Sequence, residues 1–171
     1  MMTTRKLVLT GLFVAIGIVL PQTTHLIGGP SLGSILLPMH LPVFIGAMLL
    51  GPLSGLLIAI VSVVVGVSIG MPSMLIASYM IFELAVYGLI SGYLYHNKKV
   101  NVYVSFFIAK LAGMLTAILI IQVLLNLIGL SFPPVFGTLG MFVIGLPGVA
   151  IQIVLVPLTV KLIEKSRRVY E

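Results

Sequence analysis

Apolar residues run in long blocks through this chain, broken by short stretches where polar residues, Gly and Pro gather. A helix that crosses a membrane needs about 20 mostly apolar residues. The blocks predict helices over 6–21, 37–51, 53–69, 73–95, 101–128 and 138–164, six in all. The stretch 22–34, QTTHLIGGPSLGS, is polar and Gly-rich and reads as a loop. Gly51-Pro52 and Gly70-Met71-Pro72 are strong breakers and read as tight turns. His96-Asn97-Lys98-Lys99 reads as a short basic loop, and 129–137, with Pro133-Pro134, as another. Pro147 and Pro157 are expected to kink the last helix. The expectation is an all-α integral membrane protein, with residues 1–171 forming a single transmembrane domain.

Composition supports the lipid reading. The chain has 171 residues, of which 60% are hydrophobic and 7% charged, with a mean hydropathy of +1.31. A soluble domain carries roughly a quarter charged residues, so there are too few charges here to cover a water-facing surface. The net charge of +6 does not form a stripe for nucleic acid, because the basic residues flank the apolar blocks. With six spans, Arg5, Lys6, Lys98, Lys99, Lys161, Lys165, Arg167 and Arg168 fall on one side, eight of nine basic residues. The opposite loops, at 22–36, 70–72 and 129–137, hold no Lys or Arg. The positive-inside rule then puts both termini in the cytoplasm. The apolar run after Lys6 lacks a small-x-small cleavage site and reads as a retained first helix. With no Cys there is neither a disulfide framework nor a thiolate metal site.

Two charged residues lie deep in the apolar blocks, Glu83 and Lys110. Each costs roughly 2.5–3.5 kcal/mol to insert, so each requires a reason to be there. From the inner helix ends their depths are roughly 18 Å and 13 Å. A buried Glu83–Lys110 ion pair is the structural explanation; Lys110 can also snorkel to the inner interface or touch a partner subunit. Tyr79, Glu83 and Tyr87 are spaced by four and share one helix face. A carboxylate between two phenols suits an aromatic, nitrogen-bearing ligand, whose ring stacks while the acid accepts hydrogen bonds. The alternative is an interfacial tyrosine beside a structural acid. Gln122 and Asn126 are also four apart, near the outer end of their helix. Lys110 lies twelve residues before Gln122, about 120° round the helix, so the two need not converge. Gln152 is the one polar residue deep in the last block, and amides in lipid commonly bond across helices. His25 and His40 lack a third ligand on their side, so no metal site is expected. Ser54 in Gly51-Pro-Leu-Ser54-Gly55 lacks a general base and is not a catalytic nucleophile. Gly11 and Ala15, four apart, allow close approach by a helix of another chain.

Over nearly its whole length the chain resembles the substrate-binding S components of energy-coupling factor (ECF) vitamin transporters. The resemblance is carried by LPMHLPVFIGAMLLGPLSGLL (37–57), GMPS (70–73) and FELAVYGLISGYLY (82–95), in that order. It implies a six-helix fold that captures a vitamin or its precursor near the outer face. The loop between the first two helices, with Thr24, His25 and Ser34, would act as a lid. Substrate contacts would come from His40, Tyr79, Glu83, Tyr87, Lys110, Gln122, Asn126 and Gln152. Gly11, where an Ala is usual, and Ala15 would meet a coupling module of one membrane subunit and two ATPases. The chain has no G-x-x-x-x-G-K-[ST] loop and is not expected to hydrolyse ATP, to be an enzyme or to use a cofactor. Without an Arg in its outer half, it is expected to prefer a hydroxymethylpyrimidine- or pyridoxine-like ring. Pantothenate comes second, since its carboxylate would need Lys110 or a histidine. The implied location is the plasma membrane of a prokaryote. A competing expectation is a small autonomous channel lined by Glu83, Gln122, Asn126 and Gln152.

Overall fold

The structure is a computed structural model and describes residues 3–125, 127, 129 and 135–169. Among these residues all regular structure is helical, with seven α-helices and two π-helical turns. Five stretches are long and apolar enough to cross a membrane: Thr4–Gly29, Ser31–Leu50, Met74–Asn97, Val102–Val123 and Leu146–Ser166. A sixth apolar helix, Pro52–Ser68, has 17 residues. It rises about 26 Å, a little short of the roughly 30 Å hydrocarbon core.

Helix α1 (Thr4–Leu36) starts at Thr3, whose hydroxyl accepts from the Lys6 N–H at 3.4 Å. The expected loop at 22–34 is instead mostly helical. Thr23 and Thr24 turn their hydroxyls back onto the carbonyls of Leu20 and Pro21, at 2.8 and 2.9 Å. Their polarity is thus satisfied within the helix rather than in a loop. The real interruption is Gly29, at φ 69° and ψ −170°, a conformation open to glycine but not to most L-residues. Pro30 follows it and disfavours helical geometry at residue 29. A second break, at Leu37 (φ 50°), separates α1 from α2.

Helix α2 (His40–Leu50) is the centre of the bundle, with every residue except Leu41 buried. Gly51 (φ 97°) turns the chain directly into α3 (Pro52–Ser68), with Pro52 in its first turn. Helix α4 (Met74–Ser91) runs on into a π-helical turn at Gly92–Asn97. Helices α3 and α4 cross at Gly55 and Gly88, where a Cβ on Gly88 would sit 2.6 Å from the Gly55 carbonyl oxygen. Lipid is as apolar as the side chains it meets, so such close packing, rather than escape from water, holds the helices together.

Helix α5 (Val102–Leu119) is capped by Asn101, which accepts from the Tyr103 N–H at 2.9 Å, and continues as a π-helical turn over Ile120–Leu125. The single kinked helix expected over 138–164 is two helices, α6 (Val135–Ile144) and α7 (Leu146–Val169), broken at Gly145. Pro147 therefore lies in the first turn of α7, where a missing N–H costs no helical bond. Pro157 is inside α7, as expected.

Candidate substrate-binding site

The cluster is built from α2, α4 and α5. The turn before α2 leaves His40 as its first residue, tied through its N–H to the Leu37 carbonyl at 3.1 Å. Glu83 and Tyr87 stand one turn apart on α4. On α5, Gly113 lies three residues after Lys110 and packs on α4: a Cβ there would come 2.9 Å from the Glu83 carbonyl oxygen. That approach carries Lys110 over Tyr87.

His40 Nε2 lies 3.8 Å from Glu83 Oε1, and the Tyr87 hydroxyl donates to the same oxygen. Lys110 Nζ sits 4.6 Å from the Tyr87 ring centroid. Phe44 stacks on the same Tyr87 ring, 5.0 Å away and inclined by 25°, and Phe106 lies 4.7 Å from Phe44. His40, Glu83, Lys110 and Tyr87 are 3, 5, 6 and 0% exposed, so the polar groups are sealed from solvent and lipid. Burial of this kind is tolerated only when charges compensate one another. Glu83 and Lys110, one negative and one positive group in the same cluster, supply that compensation.

The direct Glu83–Lys110 ion pair considered from the sequence is not formed. Among the described residues the one cationic or imidazole nitrogen within 4 Å of Glu83 is His40 Nε2, and Lys110 makes a cation–π contact instead. Its burial also means that it neither reaches the inner interface nor lies open to a partner subunit. Tyr79, one turn before Glu83, is 9% exposed and packs with Ala117 and Ile121. Gln152, fully buried on α7, donates to the Leu37 carbonyl at 3.5 Å, and its Oε1 has no partner. It therefore reaches the start of α2, three residues from His40. Gln122 lies half-buried in the π-helical turn after α5, and Asn126 lies outside the described residues.

The residues expected in a lid fall on α1. Thr24 and His25 lie before the Gly29 break, both half-buried, and His25 Nδ1 has no partner. Ser34 lies after it and is exposed. Gly11 and Ala15 are both exposed, and nothing stands within 4 Å of a Cβ built on Gly11. Gly17 belongs to the opposite face and packs on Ser62 and Pro42. Among the described residues no group of three His, Asp or Glu gathers as a metal site would require.

Sequence reasoning missed Phe44 and Phe106. The signal for Phe44 was its spacing, four residues after His40 on one face of α2. It also missed Gly113, whose missing side chain sets the α4–α5 approach.

What the cluster offers chemically is a buried carboxylate that accepts from Tyr87 and has His40 3.8 Å away, beside stacked aromatic rings and one cation.

Comparison with known families places residues 5–160 in the family described as "ECF transporter, substrate-specific component". No curated protein and no solved structure gives a significant match. The matched span takes in every candidate contact named above and both small residues of α1. With its apolar helices, the chain is a multi-pass membrane protein and a transporter subunit rather than an enzyme. It belongs to the family of substrate-specific S components of ECF transporters.

Proposed function

We propose that the chain captures a B-vitamin or vitamin precursor with a neutral or weakly basic heteroaromatic ring. A hydroxymethylpyrimidine- or pyridoxine-like compound is the first candidate and pantothenate the second. The observation that carries this reading is Glu83, buried on α4 between Tyr79 and Tyr87 and held by His40. Glu83 accepts from a ligand N–H where Tyr87 now donates, and the ring stacks in the Phe44–Tyr87 layer. A hydrogen bond to a charged group contributes about 1.5–3 kcal/mol, so one such contact discriminates strongly against a ring that lacks the donor.

Around that site the rest of the reading follows. The helical piece between Gly29 and Leu37, which holds Ser34, is bounded by two breaks and acts as the lid together with the turn of Thr24 and His25 just before it. Tyr79, Lys110, Gln122, Asn126 and Gln152 complete the contacts. The apolar helices cross the membrane six times, α3 included, with both termini in the cytoplasm of a prokaryote. Residues 1–171 act as one domain. Gly11 and Ala15, bare on the outer face of α1, are where the coupling subunit packs; two ATPases bound to that subunit supply the energy.

Titrating the purified chain with pyrimidine, pyridine and pantothenate vitamers tests the capture role. The expected result is tight binding of one heteroaromatic compound without ATP, lost by at least tenfold in Glu83→Gln. Binding of none of them, or a Glu83→Gln variant as tight as the wild type, would sink the reading.

A further inference from the structure

Near the basic end of α7, a groove of about 370 Å³ opens between α5 and α7, lined by Tyr103, Ile153, Val154, Pro157, Leu158 and Lys161. Pro157 has no N–H to give the Ile153 carbonyl, so the helix lacks one of its bonds at the groove wall. The α7 residues form one face, at spacings of three and four, and run about 12 Å from Ile153 to Lys161. Everything along that run is apolar until Lys161. Val154 and Leu158 are 62 and 50% exposed, so the groove opens toward the lipid.

The charge lies at one end only. Lys161 is exposed, with its Nζ 5.3 Å from the Tyr103 ring centroid. Lys165, also exposed, follows one turn later on the same face. Glu164, the acid between them, turns the other way and accepts from the Tyr95 hydroxyl at 2.9 Å. Among the described residues no carboxylate pairs with Lys161.

We propose that this groove binds one anionic phospholipid of the leaflet at the basic end of the bundle. An acyl chain lies along Ile153, Val154, Pro157 and Leu158, and the phosphate meets Lys161, with Lys165 just beyond. Tyr103 marks headgroup depth, where amphipathic rings collect. The 12 Å run fits within one leaflet, half of a hydrocarbon core about 30 Å thick. Cytoplasmic leaflets carry the anionic lipids that attract such lysines. The site is independent of the vitamin pocket.

Native mass spectrometry of the full chain, with phosphatidylglycerol and phosphatidylcholine of matched chains, tests this. The wild type is expected to retain phosphatidylglycerol about fivefold better, a gain that Lys161→Gln removes and Lys161→Arg keeps. Lys98→Gln, a basic-loop change outside the groove, is expected to keep it too. Equal retention of the two lipids, or a preference unchanged in Lys161→Gln, overturns the proposal. So does a Leu158→Trp variant that loses copurification with the coupling module yet keeps its lipid, since the groove would then hold a protein partner.

Discussion

Glu83, His40, Lys110 and Tyr87 come from three helices and are all nearly inaccessible, so changing one changes what the others must tolerate. Glu83→Gln leaves Lys110 buried without a negative counterpart. Breaking a buried charge group of this kind costs about 3–5 kcal/mol, and the melting temperature in detergent is expected to fall accordingly. Adding Lys110→Met removes the stranded cation and should restore much of that stability. The same double variant separates structure from function: melting recovers, while vitamin binding stays lost. If binding recovers together with stability, Glu83 serves the fold and does not touch the ligand. Tyr87→Phe is milder, since the ring still stacks on Phe44. It removes only the hydroxyl donor to Glu83, and a loss of about 1.5–3 kcal/mol in stability is expected from thermal melts.

Helix packing was less legible from sequence than helix existence. Breakers such as Gly51-Pro52 and Gly70-Met71-Pro72 mark the ends of α3 within a residue or two. In lipid, however, an apolar side chain is suited to either face of a helix, so hydrophobic pattern does not reveal which face is inside. Phe106 and Phe107 are neighbours of the same type, yet one is 1% and the other 50% exposed. The same blindness hid Phe44 behind Tyr87. The segment at 22–34 looks like a loop in sequence because threonine and glycine favour loops, yet its threonine hydroxyls donate to the helix's own carbonyls. Glycines show the contrast between faces most directly. Gly88→Ala would drive a Cβ to within 2.6 Å of the Gly55 carbonyl oxygen, and overpacking of this sort costs about 1–3 kcal/mol. Gly11→Ala meets nothing within 4 Å. Melting curves should therefore drop for the first and stay unchanged for the second.

For the molecule as a whole, the charges in the sequence carry the expected orientation, and the family match carries the role. Four of the eight candidate contacts, His40, Glu83, Tyr87 and Lys110, meet in the structure, and each stands out in the sequence as a polar position in an apolar block. Their arrangement does not, because His40 rather than Lys110 reaches Glu83. The chain has no Cys, so single introduced cysteines report topology cleanly. Asn97→Cys is expected to resist a membrane-impermeant thiol reagent added to intact cells, and Ser31→Cys to react with it. The reverse pattern would invert the orientation. Docking is a separate matter: Gly11→Leu or Ala15→Leu should abolish uptake while leaving binding by the purified chain unchanged, because both positions lie on the exposed face of α1. Loss of binding in either would mean that α1 shapes the pocket instead.

Capture by this chain alone is tested most directly by native mass spectrometry of the detergent-purified protein, looking for a small molecule carried from the expression host. The expected result is one bound pyrimidine or pyridine vitamer per chain, absent from Glu83→Gln. Retained pantothenate would keep the capture role but shift the weight of recognition from Glu83 to Lys110. An empty chain that also binds no member of a vitamin panel would contradict the role itself.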